Sequence, residues 1–197
     1  MDHAALRGQI AGPLSVAECQ TLAKLAASTT TTRALEVGHY LGLSTAVLLD
    51  SLPPGCELVT IDHHRGDEWC PATSADEFLA NVDPFIWDRL FVFVNDDMRA
   101  ALPTVGGGFG FVFYDADHTA SAVAAFWDHA AGLLAERCTL VFDDADWAEQ
   151  STLRGLAEAD GFMVVTSDPF YRGDGDKHDP ETYTLEVGER GGRSARS

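Results

Sequence analysis

Short apolar runs alternate with helix-like segments along most of this chain, and this alternation constrains the fold more than any other feature. The apolar runs have the length of strands and read RALEV, CELVTI, LFVFV, FGFVFY and CTLVF. The segments LSTAVLLDSL, ADEFLANV, DDMRAALP, HTASAVAAFWDHAAGLLAE and WAEQSTLRGLAEAD follow them in turn and are typical of helices. Strands that alternate with helices form parallel sheets covered on both faces. The chain is therefore predicted to be an α/β protein with a doubly wound, mostly parallel sheet.

The two ends of the chain add a helix and a change of strand direction. Ser15 and Glu18 have the spacing of a capping box, which predicts a helix from Val16 to Ala27 within an N-terminal helical segment, residues 1–30. Near the other end, FMVVTS and TYTLEV have only a loop between them. Without a crossover helix these two strands are expected to be antiparallel, which completes a seven-stranded sheet with an antiparallel last strand.

Composition indicates one globular domain. A chain of 197 residues that is 46% apolar can bury one sizeable core, and no linker or internal repeat divides it. We expect a single domain over residues 1–188 and a disordered tail over 189–197, where Gly, Ser and Arg dominate. No run approaches the length of a membrane span, and the first residues lack the pattern of a secretory signal.

Net charge and cysteine spacing indicate which classes of partner and which cellular compartment suit this chain. The formal net charge of −18 disfavours nucleic acid and anionic membranes, which both need a basic surface. The four cysteines lack the spacing of a metal site or a disulfide framework, which suits a reducing cytoplasm. We expect a cytoplasmic protein whose partner is a small molecule, with homo-oligomerisation left open.

Acidic residues close all five predicted parallel strands. Ligands of doubly wound sheets bind at the carboxyl ends of the strands. An acid at one strand end is often only a helix N-cap, but several carboxylates at one edge repel each other unless a cation, a ribose or an ammonium group satisfies them. These acids are Glu36, Asp62, Asp96, Asp97, Asp115, Asp143 and Asp144.

The stretch LEVGHYLGLST, residues 35–45, distinguishes between two candidate ligands. A dinucleotide site needs G-x-G-x-x-G, in which the second glycine lets the backbone approach a pyrophosphate. Tyr40 occupies that position here, and Glu36 adds negative charge near it. S-adenosylmethionine (SAM) has no phosphate and carries an ammonium and a sulfonium that acids attract. The stretch therefore favours SAM over a dinucleotide.

The ordered strand-end motifs resemble those of class I SAM-dependent methyltransferases. LEVGHYLGLST matches the family pattern E-x-G-x-x-x-G-x-S/T, and TIDHH, NDDMRAALP, FYDADHT and LVFDDADW follow in order. The chain is most similar to the subgroup whose fourth strand ends in D-x-D-H-S/T, here residues 115–119; catechol and caffeoyl-coenzyme-A O-methyltransferases are similar at a greater distance. The likeness covers about residues 33–147 and implies a Rossmann-like fold with SAM as cofactor.

This resemblance implies a set of cofactor contacts. Glu36 and Gly38 would lie beside the methionine moiety, Asp62 would accept hydrogen bonds from the ribose hydroxyls, and Asp97 would lie near the adenine. An ionised Asp is an acceptor-only group, as two hydroxyl donors require. The whole expected cofactor set is Glu36, Gly38, Tyr40, Gly42, Ser44, Asp62, His63, Asp96, Asp97 and Asp115.

The resemblance also implies a metal site. In the catechol-type relatives, an acid after the fourth strand and an Asp-Asn pair after the fifth hold magnesium. Asp115 and Asp143 match two of these ligands, and Asp144 replaces the Asn. Three oxygen ligands completed by water suit Mg²⁺. The alternative is that Asp115 and Asp143 cap helices while Asp144 faces solvent.

Candidate residues for the acceptor lie beyond the same strand ends. His118 is expected at the start of the helix after the fourth strand, where it either deprotonates the acceptor or bonds a neighbouring acid. Trp69 and Trp147 could stack on adenine or on an aromatic acceptor, or shield the sheet edge. Residues 63–71 form a long polar loop, in which adjacent histidines are often simply exposed, and residues 168–180 are a candidate lid.

The expected function is methyl transfer from SAM to a small molecule, at an oxygen, with Mg²⁺ as an optional second cofactor. Alanine-rich composition and the absence of a large inserted domain suit a tailoring enzyme of secondary metabolism. Two alternatives remain: a catalytically silent SAM-binding partner protein, and an NAD-dependent oxidoreductase on the same kind of sheet.

Overall fold

The structure is a computed structural model, and it describes residues 1–66, 70–143, 150–166, 170–171, 182–183 and 186–190. Three expected site residues, Trp69, Asp144 and Trp147, lie outside the described residues. The same holds for most of the candidate lid, residues 168–180.

Helices and strands alternate as the sequence predicts. The helices are α1 (His3–Arg7), α2 (Val16–Ser28), α3 (Leu43–Ser51), α4 (Ala75–Val82), α5 (Met98–Ala101), α6 (Ala120–Ala130) and α7 (Gln150–Ala159). The strands are β1 (Arg33–Val37), β2 (Glu57–Asp62), β3 (Leu90–Asn95), β4 (Phe109–Tyr114), β5 (Leu134–Phe142), β6 (Phe162–Thr166), β7 (Phe170–Tyr171), β8 (Thr182–Tyr183) and β9 (Glu186–Arg190). Short 3₁₀ turns follow α4, α5 and α6.

Seven of these strands form one sheet in the order β3-β2-β1-β4-β5-β9-β6, as the described residues show. The first five are parallel, and β9 runs antiparallel to both β5 and β6. The α/β class, the doubly wound sheet and the antiparallel last strand are therefore confirmed.

The last predicted strand, TYTLEV, divides into two strands. Its first residues form β8, which pairs with β7 in a separate two-stranded sheet, whereas β9 begins at Glu186. β9 extends through Arg190, two residues beyond the boundary expected at 188. Residues 191–197 lie outside the described residues.

The sheet separates two cores, because successive side chains of a strand point to opposite faces. On one face, α1 to α4 pack against strand residues such as Phe111 and Phe113. On the other face, α5, α6 and α7 pack against residues such as Val112 and Tyr114. All six residues of β4 are buried, as expected of a central strand covered on both faces.

Local signals account for most element boundaries. The capping box at the start of α2 is formed, with the Ser15 N–H donating to Glu18 and the Glu18 N–H donating to Ser15 Oγ. The helix predicted to extend to residue 136 instead ends at Ala130, and a 3₁₀ turn (Ala131–Leu133) leads into β5. β5 consequently begins four residues before the predicted run CTLVF.

The order of the strands reverses between β1 and β4, and Gly38 lies at this switch point. The Gly38 N–H donates to the Ile61 carbonyl on one side, and the Asp115 N–H donates to the Val37 carbonyl on the other. Gly38 has φ +84°, and an added Cβ would lie 1.8 Å from the Asp115 carbonyl oxygen. The first glycine of the motif is therefore required by the close approach of β4.

Gly38→Ala should destabilise the fold more than Gly55→Ala does. Gly55 has nearly the same φ, +81°, but an added Cβ would meet nothing within 4 Å, so it controls for backbone strain. We expect a loss in the free energy of unfolding of about 1–2 kcal/mol for Gly55→Ala and about 3–5 kcal/mol for Gly38→Ala. Urea denaturation measures both, and equal losses would contradict the steric explanation.

Candidate functional site

A cavity of about 470 Å³ opens at the carboxyl ends of the parallel strands. Its volume lies within the range of about 300–1,000 Å³ that is usual for small-molecule sites. Each of the five parallel strands ends at its wall, as the sequence predicts. Among the residues that line it are Val37, Gly38, Asp62, Asp96, Asp97, Asp115, Asp117, Asp143 and, from α2, Glu18.

Asp62, the last residue of β2, is held by three backbone N–H groups. Its Oδ2 accepts from His39 and Tyr40, both at 3.0 Å, and its Oδ1 accepts from His64 at 2.7 Å. Burial raises the pKa of this carboxyl, but the His39 side chain and the three N–H groups outweigh burial, and the pKa lies below its ordinary value. A carboxylate has about four acceptor positions, so one remains, on Oδ1.

Glu36 does not line the cavity, although the resemblance implied a cofactor contact. Its side chain is fully buried, and its carboxylate accepts hydrogen bonds of 2.7 Å from the hydroxyls of Ser44, Thr45 and Thr60. Burial raises the pKa of the Glu36 carboxyl to about 7, against the lowering effect of the three hydroxyls. Glu36 therefore joins β1 to α3 and β2 from inside the core, behind the cavity wall.

A pair of buried histidines lies next to Asp62. His39 Nε2 is 3.2 Å from His64 Nε2, and the His39 ring stacks on Phe78 with centroids 3.9 Å apart. Burial lowers the pKa of His39 to about 3, with a further lowering by His64, although Asp62 acts in the opposite direction. His39 is therefore neutral at neutral pH.

The two adjacent loop histidines have different environments. The side chain of His63 is 38% exposed and lines the cavity, and its Nδ1 accepts from the Arg65 N–H. His64 is only 8% exposed. His63 is therefore partly exposed at the cavity wall, and the expectation of simple exposure is wrong for His64, whose backbone has a left-handed φ of +55°.

The remaining motif residues shape the loop after β1. Tyr40 lines the cavity and has a left-handed φ of +47°, at the position where a dinucleotide site would have glycine. Gly42 packs against α4, since an added Cβ would lie 2.6 Å from Val82 Cγ1. Ser44 is buried, and its hydroxyl is directed to Glu36. Gly42 and Ser44 therefore support the loop without lining the main cavity.

The turn after β3 places both acidic and basic side chains at the cavity. Asp97 is the N-cap of α5 and accepts from the Arg99 N–H, and the two side chains form an ion pair at 3.5 Å. Asp96 accepts from the Asp97 N–H at 2.8 Å. All three residues line the cavity, and Asp97 is the one that the resemblance places near the adenine.

The opposite end of the cavity contains Asp115, His118 and Asp143. His118 Nε2 is 3.9 Å from Asp115 Oδ1, and both side chains are largely buried. His118 does not begin the helix as expected: Thr119 is the N-cap of α6 and the helix starts at Ala120. Thr119 is the preferred cap because its hydroxyl accepts from the Ala122 N–H.

Two of the three expected metal ligands meet at this end. Asp115 and Asp143 directly follow the paired residues Tyr114 and Phe142 of β4 and β5. Neither acid caps α6. Over the residues that the structure describes, no three His, Cys, Asp or Glu side chains are grouped so as to hold a metal ion.

No described helix has the length and apolar character needed to cross a membrane.

Comparison with known proteins identifies the family. A family model described as "Methyltransferase domain" matches residues 35–145, more than half of the chain. The chain belongs to this methyltransferase family and is an enzyme of the class I SAM-dependent type. No curated protein matches the sequence significantly.

Solved methyltransferase structures share the fold. One is the O-methyltransferase TomG from Streptomyces achromogenes, which is involved in tomaymycin synthesis and was crystallised with SAM. It is 19% identical in sequence, with a TM-score of 0.66, and the match covers 91% of this chain and 82% of TomG. An O-methyltransferase from Bacillus cereus in complex with S-adenosylhomocysteine (SAH) is 17% identical with a TM-score of 0.68, over 95% and 86%. An SAH-bound methyltransferase from Podospora anserina is 15% identical with a TM-score of 0.62, over 94% and 85%.

Glu36 and His39 should give opposite dependences of stability on pH. His39 has a folded pKa of about 3 against an ordinary 6.5, so the unfolded chain binds the extra proton and acidification destabilises. Glu36 has a folded pKa of about 7 against 4.5, so the folded chain binds the extra proton and acidification stabilises.

Single variants should therefore separate the two effects between pH 6.5 and 4.5. Glu36→Gln leaves the His39 effect, and its free energy of unfolding should fall on acidification by about 1 kcal/mol per pH unit relative to wild type. His39→Asn retains the Glu36 effect, so its free energy of unfolding should rise on acidification by a similar amount relative to wild type. Urea denaturation at several pH values measures both, and parallel curves for the two variants would contradict the assignment.

Proposed function

We propose that this chain is a SAM-dependent O-methyltransferase of a small molecule, as in secondary metabolism. The observation that carries the proposal is the Asp62 carboxylate, fixed at the cavity wall with an acceptor position left on Oδ1. A ribose hydroxyl can donate to that position. The SAM-bound state of TomG and the SAH-bound relatives support the same ligand for this cavity.

The charge of the cavity favours SAM over NAD. Carboxylates outnumber cationic side chains along the wall, with Arg99 paired to Asp97. A sulfonium and an ammonium are stabilised by such a wall, whereas a pyrophosphate is repelled. This contrast also argues against the oxidoreductase alternative.

Methyl transfer needs an aligned nucleophile and a route for its proton. The acceptor oxygen attacks the methyl carbon, the carbon–sulfur bond breaks, and its electron pair neutralises the sulfonium to give SAH. Aligning the two reactants and excluding water supply much of the rate. The hydroxyl proton must leave, and His118, beside Asp115 at the cavity wall, is the candidate acceptor of that proton.

The cofactor is tested by calorimetry with SAM, SAH and NAD. SAM or SAH should bind, and NAD should not. Asp62→Ala should weaken SAH binding by about 1.5–3 kcal/mol, the range for a hydrogen bond to a charged group. Asp88→Ala removes the same charge at a side chain that is 95% exposed and should leave affinity unchanged. NAD binding without SAH binding would overturn the proposal.

His118→Ala tests the general-base role of His118. Loss of a general base should lower kcat by about 10²–10⁴-fold while SAH affinity stays the same, and added imidazole should restore part of the rate. His129→Ala, at an exposed position on α6, is the matched control. A His118→Ala rate within a few-fold of wild type would show that His118 is structural.

Magnesium assistance is a further part of the proposal. Asp115 and Asp143 supply hard oxygen donors from neighbouring strands, and Mg²⁺ commonly binds through one or two carboxylates together with water and substrate. A metal held by them would stabilise the acceptor as its oxyanion. EDTA should then abolish turnover, Mg²⁺ should restore it, and Asp143→Ala should resemble the chelated enzyme with SAH affinity intact. Full turnover in EDTA would remove the metal from the mechanism.

A further inference from the structure

We infer that His39 and His64 are positioning residues for Asp62, joined in one buried hydrogen-bond chain that runs from Thr73 to Glu36. This inference rests on the proposed function, because it assigns to the two histidines the task of orienting the carboxylate that receives the ribose. It concerns residues that the methyl-transfer chemistry itself does not use.

The chain of contacts is continuous. Thr73 Oγ1 is 2.9 Å from His64 Nδ1, the two Nε2 atoms of His64 and His39 are 3.2 Å apart, and His39 Nδ1 is 2.7 Å from Thr60 Oγ1. The Thr60 hydroxyl in turn donates to Glu36 Oε2 at 2.7 Å. The contacts thus link the loop after β2 to the interior of the sheet.

The chemistry of the groups fixes the direction of every bond when Glu36 is ionised. A carboxylate only accepts, so the Thr60 hydroxyl donates to it and its oxygen accepts from His39 Nδ1–H. His39 is neutral, so its Nε2 accepts, and His64 must carry the hydrogen on Nε2. In neutral His64, Nδ1 then accepts from the Thr73 hydroxyl. The order of donors predicts one tautomer for each histidine.

The same two residues also hold Asp62 through their backbones. The His39 N–H donates to Asp62 Oδ2 and the His64 N–H donates to Asp62 Oδ1. The contact between the two rings and the backbone hydrogen bonds to Asp62 therefore both connect the loop after β1 to the loop after β2. Because of this double link, a change that separates the rings should also displace the N–H groups that orient Asp62.

The surroundings favour a neutral His39 ring. His39 is packed against Phe78 of α4 and Phe93 of β3, with ring centroids 3.9 and 5.6 Å away. The charged or titratable groups that face the pair are Asp62 at the end of β2, Glu36 of β1 through Thr60, and each histidine for the other. A second proton on His39 would have to remain in this apolar enclosure, which disfavours it.

The first test is ¹⁵N NMR of the histidine side chains in the full chain at pH 8. His39→Asn and His64→Gln spectra assign the two rings. We expect His39 as the Nδ1–H tautomer and His64 with hydrogen on Nε2, both slow to exchange with solvent. Hydrogen on Nε2 of His39, or rapid exchange at both rings, would overturn the inference, and this readout needs no cofactor.

The second test is SAH affinity in matched variants. His64→Leu removes the ring bonds and should weaken binding about fivefold to tenfold, the effect of one buried hydrogen bond. His64→Gln keeps a side-chain N–H near Nε2 and should stay within about twofold of wild type. If His64 acts through Asp62, adding His64→Leu to Asp62→Asn should weaken binding less than twofold further.

The outcomes separate this inference from the proposed function. Independent, multiplying losses in the double variant would show that His64 acts on the ligand by another route and would overturn the positioning role. Wild-type affinity in His64→Leu would do the same. If SAH does not bind the wild type at all, the proposed function fails, and the tautomers still decide whether the hydrogen-bond chain exists.

Discussion

The site depends on one constraint, the fixing of the Asp62 carboxylate by backbone N–H groups from two different loops. Both oxygens are engaged, so the carboxylate cannot rotate without breaking hydrogen bonds to His39, Tyr40 or His64. The neighbouring His39 side chain and these N–H groups together hold the pKa of the Asp62 carboxyl below its ordinary value despite burial, and it stays ionised at neutral pH. The loop after β1 and the loop after β2 thereby become one wall of the cavity.

Glu36 and Gly42 of the sequence motif support this wall from behind, whereas Gly38 is part of it. Glu36 is enclosed by three hydroxyls from α3 and β2, and Gly38 admits the Asp115 backbone that comes from β4. Gly42 gives α3 a left-handed start and leaves room for α4. Of the motif residues expected to touch the cofactor, Glu36, Gly42 and Ser44 thus support the wall without lining the main cavity.

Local patterns in the sequence were sufficient for the sheet and for the placement of most strand-end acids at one cavity. Periodicity, the capping box and the ordered motifs depend on neighbours in the chain, and the structure confirms them. Thr60, one of the three hydroxyl donors to Glu36, lies 24 residues away, and the histidine pair spans 25 residues. Such contacts have no local signal; only the adjacent His63 and His64 hinted at an unusual loop. His118 lies immediately before α6 rather than in its first turn, because Thr119 caps the helix.

The most direct measurement of this account is a crystal structure of the chain with SAH. A ribose hydroxyl should lie within about 3.0 Å of Asp62 Oδ1, the usual range for such hydrogen bonds, while the N–H groups of His39, Tyr40 and His64 keep their bonds to the carboxylate. The homocysteine sulfur should point towards the end of the cavity that holds Asp115 and His118. SAH bound with its ribose away from Asp62, or a carboxylate that has left its backbone donors, would contradict the account.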